Sequence, residues 1–350
     1  MAFLKNIYNM AALLGACLAP LLLTGCYQAF EPDLESTPVV CVNSRATAGE
    51  VLEVTVSRTW RWSEGTPETI DIYLPDADVR LYINGSFREQ LHYTEEAAAD
   101  RPDFDWSDPH RIMKFYRGTY VARSGDHIRI TVDDPAYGHA EGEVTVPFPV
   151  EIEKVDAMVS NLSLTGEGEE IVWARGNAAL NVWFSDPAET ENYYEFDTGT
   201  GIDHSKPSLV CDFYTDFSFE PLFTEHVSPL ESIMSETWGY CFFTDRQIAG
   251  KKYPLHLRLE NFNFSYYAAE GPSGNAATVN LTLYSISESY WRHVISVWES
   301  NDGINGTLGD IGLADPIWEV SNVSTGAGVI SARARSVCRL PFSTLLERRS

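Results

Sequence analysis

The strongest constraint in this sequence is an alternation of apolar and polar residues with a period of two. Leu52, Val54 and Val56 alternate with polar neighbours, and the pattern recurs at 79–83, 128–132, 144–146, 255–259 and 279–283. In an extended strand, successive side chains point to opposite faces of the sheet. The pattern therefore predicts antiparallel sheets with one buried face and one solvated face.

Turn signals and length divide the predicted strands between two domains. Asn84-Gly85 separates two apolar runs and predicts a type I′ hairpin. The 350 residues exceed what one core usually holds, and Pro147-Phe148-Pro149 predicts a stiff joint. We predict a mainly all-β chain, with an immunoglobulin-like antiparallel sandwich at 38–149 and a larger β-rich domain at 150–340.

One segment of the second domain is predicted to be an amphipathic helix, near residues 287–300. Ser285 and Glu288 have the spacing of a capping box. Four apolar residues then fall on one helix face and are expected to pack on a sheet: Trp291, Val294, Ile295 and Trp298. Further on, Gly326 and Gly328 predict a last strand with a bulge or a close backbone approach.

The N-terminus predicts the cellular compartment. Lys5 precedes a short apolar run at 10–23, which falls below the roughly 20 residues of a membrane span and is typical of a secretory signal peptide. Leu23-Thr24-Gly25-Cys26 resembles the lipobox of bacterial lipoproteins. The resemblance implies a signal peptide at 1–25, acylation of Cys26 and a lipidated tether at 26–37, so that the membrane is contacted through the lipid anchor.

The charge balance argues against two classes of partner. Asp and Glu number 50 against 25 Lys and Arg, a net charge of −25. Nucleic-acid binding needs clustered cations, and so does adhesion to anionic lipid through a basic patch. Neither nucleic acid nor such a lipid surface is expected as a partner.

Four cysteines are expected in the mature chain outside the lipid anchor: Cys41, Cys211, Cys241 and Cys338. In an oxidising compartment they allow two disulfides in three connectivities. We favour Cys211 with Cys241, because both lie in one aromatic, loop-rich segment. For Cys41 and Cys338, a disulfide and two free thiols are equally weighted. Their spacing does not suit zinc.

No catalytic motif is recognised in the sequence, so we predict a protein without enzymatic activity and without a cofactor. Aromatic residues in loops are the candidate contacts for a ligand or partner: Trp60, Trp62, Trp106, Tyr214, Phe217 and Trp238. Packing over the sheet edges is an equally weighted alternative. Asp103, Asp105 and Asp108 have a weak likeness to a calcium loop, but a solvated acidic loop is favoured.

Several short segments, in order, resemble a known family. They include the Cys26 start, Val39-Val40-Cys41-Val42-Asn43, Ala77 to Tyr82, Gly118-Thr119-Tyr120, Ser185-Asp186-Pro187, Asn192-Tyr193-Tyr194, Thr244-Asp245-Arg246, Gly250 to Tyr253, Ser289-Tyr290-Trp291, Ser321-Asn322-Val323 and Gly326 to Val329. Together they resemble the Bacteroidetes lipoprotein family catalogued as domain of unknown function 4249. The segment from Cys211 to Cys241 departs from the family pattern.

The resemblance implies an outer-membrane companion of TonB-dependent, SusC-like barrels and carries no catalytic residue. We therefore expect a lipid-anchored accessory or ligand-binding protein of the outer membrane, on its surface or periplasmic face. Two alternatives are kept. One is a surface hydrolase acting on glycan or peptide, and the other is an adhesin or assembly subunit with an exposed strand edge.

The lipid anchor gives the first testable prediction. Cys26→Ser should shift the protein from the membrane fraction to the soluble fraction, because acyl chains supply the anchoring free energy. Fractionation with immunoblotting measures the shift, and mass spectrometry of wild type should find the acylated N-terminus. Equal retention of Cys26→Ser and wild type would contradict the anchor.

Overall fold

The computed structural model describes residues 37–61, 64–65, 70–98, 111–201, 209–225, 241–301, 303, 315 and 317–347. Residues 38–350 form one compact unit. The structure confirms the predicted fold class, because the described chain is mainly β, with antiparallel sheets and two short α-helices.

The first eight strands are β1 (Val40–Thr47), β2 (Val51–Arg58), β3 (Asp78–Ile83), β4 (Ser86–Gln90), β5 (His92–Ala97), β6 (Ile112–Val121), β7 (His127–Asp134) and β8 (Gly138–Thr145). The next seven are β9 (Ile152–Thr165), β10 (Ile171–Ser185), β11 (Tyr193–Gly201), β12 (Cys211–Asp216), β13 (Phe242–Thr244), β14 (Lys252–Tyr267) and β15 (Thr278–Ile286). Helix α1 (Glu288–Asn301), strands β16 (Val323–Ser324) and β17 (Ile330–Pro341), and helix α2 (Phe342–Glu347) follow, and two short 3-10 helices lie at Pro221–Thr224 and Pro272–Gly274.

The strands form three sheets. The eight-stranded sheet has the order β13-β11-β15-β17-β1-β2-β6-β5, the five-stranded sheet β16-β8-β7-β3-β4, and the four-stranded sheet β12-β14-β10-β9. One apolar core joins the β1, β2 and β6 part of the large sheet to the five-stranded sheet. A second core joins the β11, β13 and β15 part to the four-stranded sheet.

The predicted alternation is confirmed by burial. Leu52, Val54 and Val56 are at most 2% exposed, while Glu53 and Thr55 between them are partly exposed. Asn84 and Gly85 have φ angles of 52° and 79°, as the predicted hairpin between β3 and β4 requires. The hydrophobic pattern therefore decides which face of each strand enters a core.

The large sheet continues across the predicted domain boundary near residue 149. Strand β17 pairs in parallel with β1, with Ser44 opposite Ile330 and Thr47 opposite Arg333. The predicted close approach is confirmed, because a Cβ on Gly326 would lie 2.5 Å from the carbonyl oxygen of Val40. The two-domain division stays a prediction, with one core largely on each side of residue 149.

Helix α1 lies where it was predicted, but its N-cap residue comes two positions after the predicted Ser285. Ser287 is the capping residue, since its hydroxyl accepts a hydrogen bond from the Tyr290 N–H at 3.3 Å. Ser285 belongs to β15, and its hydroxyl accepts from the Val150 N–H. Of the predicted apolar stripe, Trp298 is buried. Neither described helix is long and apolar enough to span a membrane.

Helix α2 was not predicted, and it completes the second core. Phe342 is fully buried, and its ring stacks on that of Phe264 at 5.3 Å between centroids. Its edge meets the ring of Phe262 at 5.9 Å. The short helix thus places one aromatic side chain at the centre of an aromatic cluster.

Phe342→Ala should lower the free energy of unfolding by about 3–5 kcal/mol, because a buried aromatic ring is lost and a cavity remains. Urea denaturation measures the change. Phe148→Ala is the control, since Phe148 is 71% exposed, and it should cost far less. Equal effects of the two substitutions would argue against the packing of α2.

Candidate functional site

A groove of about 1020 Å³ crosses the outer face of the eight-stranded sheet, beside helix α1. We call it the arginine groove. Its charged lining comprises Arg45, Arg117, Arg333, Arg335, Glu50, Glu53 and Glu96. The alternation of each strand creates it, since Arg333 and Arg335 of β17 point outward while Ala332 and Ala334 enter the core.

Arg333 is the most constrained cation of the groove. Its side chain is 15% exposed, and its Nε donates to the Thr47 hydroxyl at 3.3 Å. The guanidinium carbon lies 4.2 Å from the centre of the Tyr284 ring, and Nη1 lies 3.6 Å from a Glu195 carboxylate oxygen. These contacts hold the guanidinium plane in one orientation.

Arg45 links the groove to helix α1. Its Nη1 donates to the Tyr290 hydroxyl at 3.1 Å, and its guanidinium carbon lies 5.7 Å from the centre of that ring. Burial disfavours the cation, but the contact with Tyr290 and the field of Glu195 leave the pKa of Arg45 above its ordinary value. Arg45 is therefore a persistent, partly desolvated cation.

The acidic groove residues are matched with arginines. Arg117 contacts both Glu53 and Glu96, the latter at 3.0 Å, and Arg335 lies 3.0 Å from Glu50. The hydrogen bond to Glu53 raises the pKa of Arg117 despite partial burial. Because these pairs are about a third to a half exposed, each adds at most about 1 kcal/mol to stability.

Glu195 lies beneath this charge network. Its Oε2 is buried and accepts no hydrogen bond within the described part of the chain. Burial raises the pKa of Glu195, and the Arg333 and Arg45 cations oppose that rise. Glu195 therefore depends on Arg333 for electrostatic compensation.

A second cavity, of about 530 Å³, adjoins the groove at Glu195 and Phe242. We call it the aromatic cavity. It brings together the predicted contacts Tyr214 and Phe217, and Tyr214 is 48% exposed. The rings of Phe242 and Tyr290 are 6.0 Å apart, which joins the cavity wall to the groove wall.

Of the other predicted contacts, only Trp60 lies among the described residues. Trp60 is 41% exposed after the end of β2 and lines neither of them. Cys26, Trp62, Trp106, Trp238, Asp103, Asp105 and Asp108 lie outside the described residues. Among the residues that are described, no three His, Cys, Asp or Glu side chains converge as a metal site.

Sequence reasoning missed the groove, although Ala332-Arg333-Ala334-Arg335 carried a signal. Small residues alternate there with cations, so the arginines had to share the solvated face of one strand. What the local sequence could not show was the partner strand that supplies Arg45 and Thr47.

Cys41, Cys211, Cys241 and Cys338 are free thiols in the structure. Cys41 lies opposite Ala327, and Cys338 lies eleven residues beyond Ala327, the last eight of them after Ile330 on β17. Those eight residues alone span about 26 Å along a strand at roughly 3.3 Å each, and a disulfide needs Cα atoms within about 7 Å. This register excludes a Cys41–Cys338 disulfide.

Cys211 and Cys241 are both buried in the second core, and their pairing stays a prediction. Burial raises the pKa of each thiol to about 12. Since the thiolate is the reactive form, neither side chain is suited to act as a nucleophile at neutral pH.

The thiol states predict a labelling pattern. Iodoacetamide at pH 8 should leave Cys211 and Cys241 unmodified in the native protein while the half-buried Cys338 reacts slowly. After unfolding in urea without reductant, free thiols predict one label on each of the four cysteines, whereas the predicted Cys211–Cys241 disulfide predicts labels on Cys41 and Cys338 alone, and mass spectrometry distinguishes the two. If Cys211 and Cys241 gained labels only after reduction, the predicted disulfide would be present and the free thiols refuted.

Four of the segments that carry the family resemblance meet in one buried cluster. The Asn192 N–H donates to Asp245 at 2.9 Å, and the Tyr194 hydroxyl donates to Asp186 at 2.6 Å. The Gly250 N–H donates to the other Asp186 oxygen at 2.9 Å. These contacts tie the end of β10 to β11 and to the turn after β13.

Comparison with known proteins supports that resemblance. No curated protein matches this chain. A family model described as domain of unknown function (DUF4249) matches residues 27–337, which takes in β1 to β16 and most of β17. The chain therefore belongs to the DUF4249 family.

Proposed function

We propose that this protein is a lipid-anchored binding protein of the outer membrane, acylated at Cys26, which works as an accessory of a SusC-like, TonB-dependent transporter barrel. The observation that carries the proposal is the arginine groove. It is preformed, polar and open along several strands, which suits a segment of a ligand or partner better than a small apolar molecule.

The groove charges indicate the kind of segment that binds there. Arg333 and Arg45 offer oriented guanidinium groups, which bind carboxylates with paired hydrogen bonds. Glu50, Glu53 and Glu96 offer acceptors nearby for cations. A polar peptide segment or protein loop that carries both charges is complementary to this lining, with its carboxylates on the arginines.

The same contacts disfavour the hydrolase alternative at this groove. Glycoside cleavage by paired acids requires one protonated carboxyl group and one ionised carboxylate. Glu53 and Glu96 both contact the Arg117 guanidinium, so the two carboxyl groups face a shared cation and not an open cleft between them.

One observation favours the adhesin or assembly alternative. Strand β9 spans 14 residues and is an edge of the four-stranded sheet, paired with β10 alone among the described strands. Met158 on this edge is 64% exposed. The first part of β9 carries the charged residues Glu153, Lys154 and Asp156, which disfavour pairing with another strand. Strand addition is therefore feasible mainly beyond them.

Cross-linking in intact cells followed by purification of the acylated protein tests the accessory role. Wild type should recover an outer-membrane barrel, and Arg333→Ala should reduce its recovery at least tenfold, because truncating a buried, hydrogen-bonded charge costs about 2–5 kcal/mol. Arg292→Ala is the matched control, since Arg292 lies on α1 with a side chain that is 64% exposed.

Thermal melting should first establish that both variants are folded. Repeated recovery of wild type without a barrel would contradict the accessory role. Equal barrel recovery by Arg333→Ala and Arg292→Ala would leave the accessory role intact and exclude the groove as the contact surface.

A further inference from the structure

A pocket of about 390 Å³ lies on the outer face of the four-stranded sheet, which does not carry the arginine groove. Its polar lining is supplied by Asn161, Ser163, Arg175, Asn177, Asn261 and Asn263. We call it the asparagine pocket. No acidic side chain among the described residues lines it, although the full chain has 50 Asp and Glu.

Irregular pairing in three neighbouring strands forms the pocket. The register of β10 shifts between Arg175 and Asn177 against β9, and between Gly176 and Ala178 against β14. Asn161 on β9 and Asn261 on β14 have φ angles of 53° and 51°, in the left-handed region. Bulges turn side chains out of the regular alternation and are frequent beside functional sites.

Most polar groups of the pocket are not used by the protein itself. The Asn261 N–H donates to the Asn177 side-chain oxygen at 2.9 Å, and Arg175 Nε donates to the Asn263 side-chain oxygen at 3.3 Å. Within the part of the chain that the structure describes, the Asn161 and Asn261 side chains, the Ser163 hydroxyl and the Arg175 terminal nitrogens have no hydrogen-bond partner. They remain available to a ligand.

An aromatic residue flanks these groups. Trp173 is partly buried and lies two residues before Arg175 on β10, so both side chains are on the outward face, about 7 Å apart along the strand. An indole ring presents a flat apolar surface with one N–H donor. Trp173 is outside the pocket lining, so a ligand would reach its side chain only by extending beyond the pocket along β10.

We propose that the asparagine pocket binds a neutral saccharide unit of a glycan. Each carboxamide offers donors and an acceptor side by side, which match the hydroxyls of a sugar, each of which both donates and accepts. Where the glycan extends beyond the pocket along β10, the Trp173 ring can cover an apolar face of a sugar ring.

Other ligand classes fit less well. A hard divalent cation is usually held by at least one carboxylate, and the described lining supplies amide and hydroxyl oxygens alone. An apolar ligand would bury the free amide groups without hydrogen-bond partners, at a cost of about 1–3 kcal/mol for each such group. A multiply charged anion would be poorly neutralised, because Arg175 is the one cation among the described lining residues.

This inference goes beyond the proposed function, because the pocket and the arginine groove lie on different sheets and use different chemistry. The test uses the full mature chain on an array of neutral and acidic glycans, followed by calorimetry with maltohexaose, cellohexaose and mannohexaose. At least one neutral glycan should bind. Asn161→Gly/Asn261→Gly should weaken that binding at least tenfold, because two amides are removed.

Glycine adopts positive φ readily, so the double variant keeps the backbone that the pocket needs. Asn84→Gly is the matched control, since Asn84 also has a positive φ of 52° but lies on the five-stranded sheet. It should bind like wild type. Absence of any neutral-glycan binding, binding of acidic glycans alone, or equal binding by the double variant and wild type would each overturn the proposal.

Discussion

The parallel pairing of β1 with β17 is the interaction on which the rest of the architecture depends. It joins strands from the two ends of the chain into one eight-stranded sheet, which contributes to both cores. The pairing requires close backbone approach, and Gly326 and Gly328 permit it where any Cβ would meet a carbonyl oxygen of β1. It also places Thr47 beside Arg333, so the arginine groove exists only when this pairing has formed.

The sheets leave one face of each strand to solvent, and the two proposed sites use different outward faces. On the large sheet, outward positions carry long charged side chains that pair with each other across β17, β1, β2 and β6. On the four-stranded sheet, bulges gather short amides instead. The buried positions beneath both sites are apolar, so recognition and core packing are divided between alternate residues of the same strands.

The sequence predicted the features that depend on neighbouring residues and missed those that depend on residues far apart in the chain. Alternation is local, and it correctly placed Leu52, Val54 and Val56 in a core. Which strands become neighbours is decided by distant contacts, so neither the parallel β1–β17 pair nor the groove was predicted. For the same reason, spacing alone could not exclude a Cys41–Cys338 disulfide, whereas the register does so at once.

Local signals also failed where two of them competed. Ser285 and Ser287 both precede the helix, and the capping-box spacing favoured Ser285, but the β15 ladder extends through Ile286 and leaves Ser287 as the cap. Helix α2 is too short for a helical period to be recognised. The asparagine pocket was also missed. The bulges at Asn161 and Asn261 interrupt the alternation of apolar and polar residues, so the pattern does not show which side chains face outward there.

If the groove binds as proposed, Arg333 is the residue at which binding and stability would be coupled. Exposed substitutions usually change stability by less than about 0.5 kcal/mol, but Arg333 is largely buried against Glu195. Because burial holds the pKa of Glu195 above its unfolded value, its ionisation opposes folding as the pH rises between the unfolded and folded pKa values. The Arg333 cation limits that cost, and a ligand carboxylate drawn to Arg333 would compete with Glu195 for the same charge. Occupation of the groove in the proposed role would thereby be linked to the protonation of Glu195.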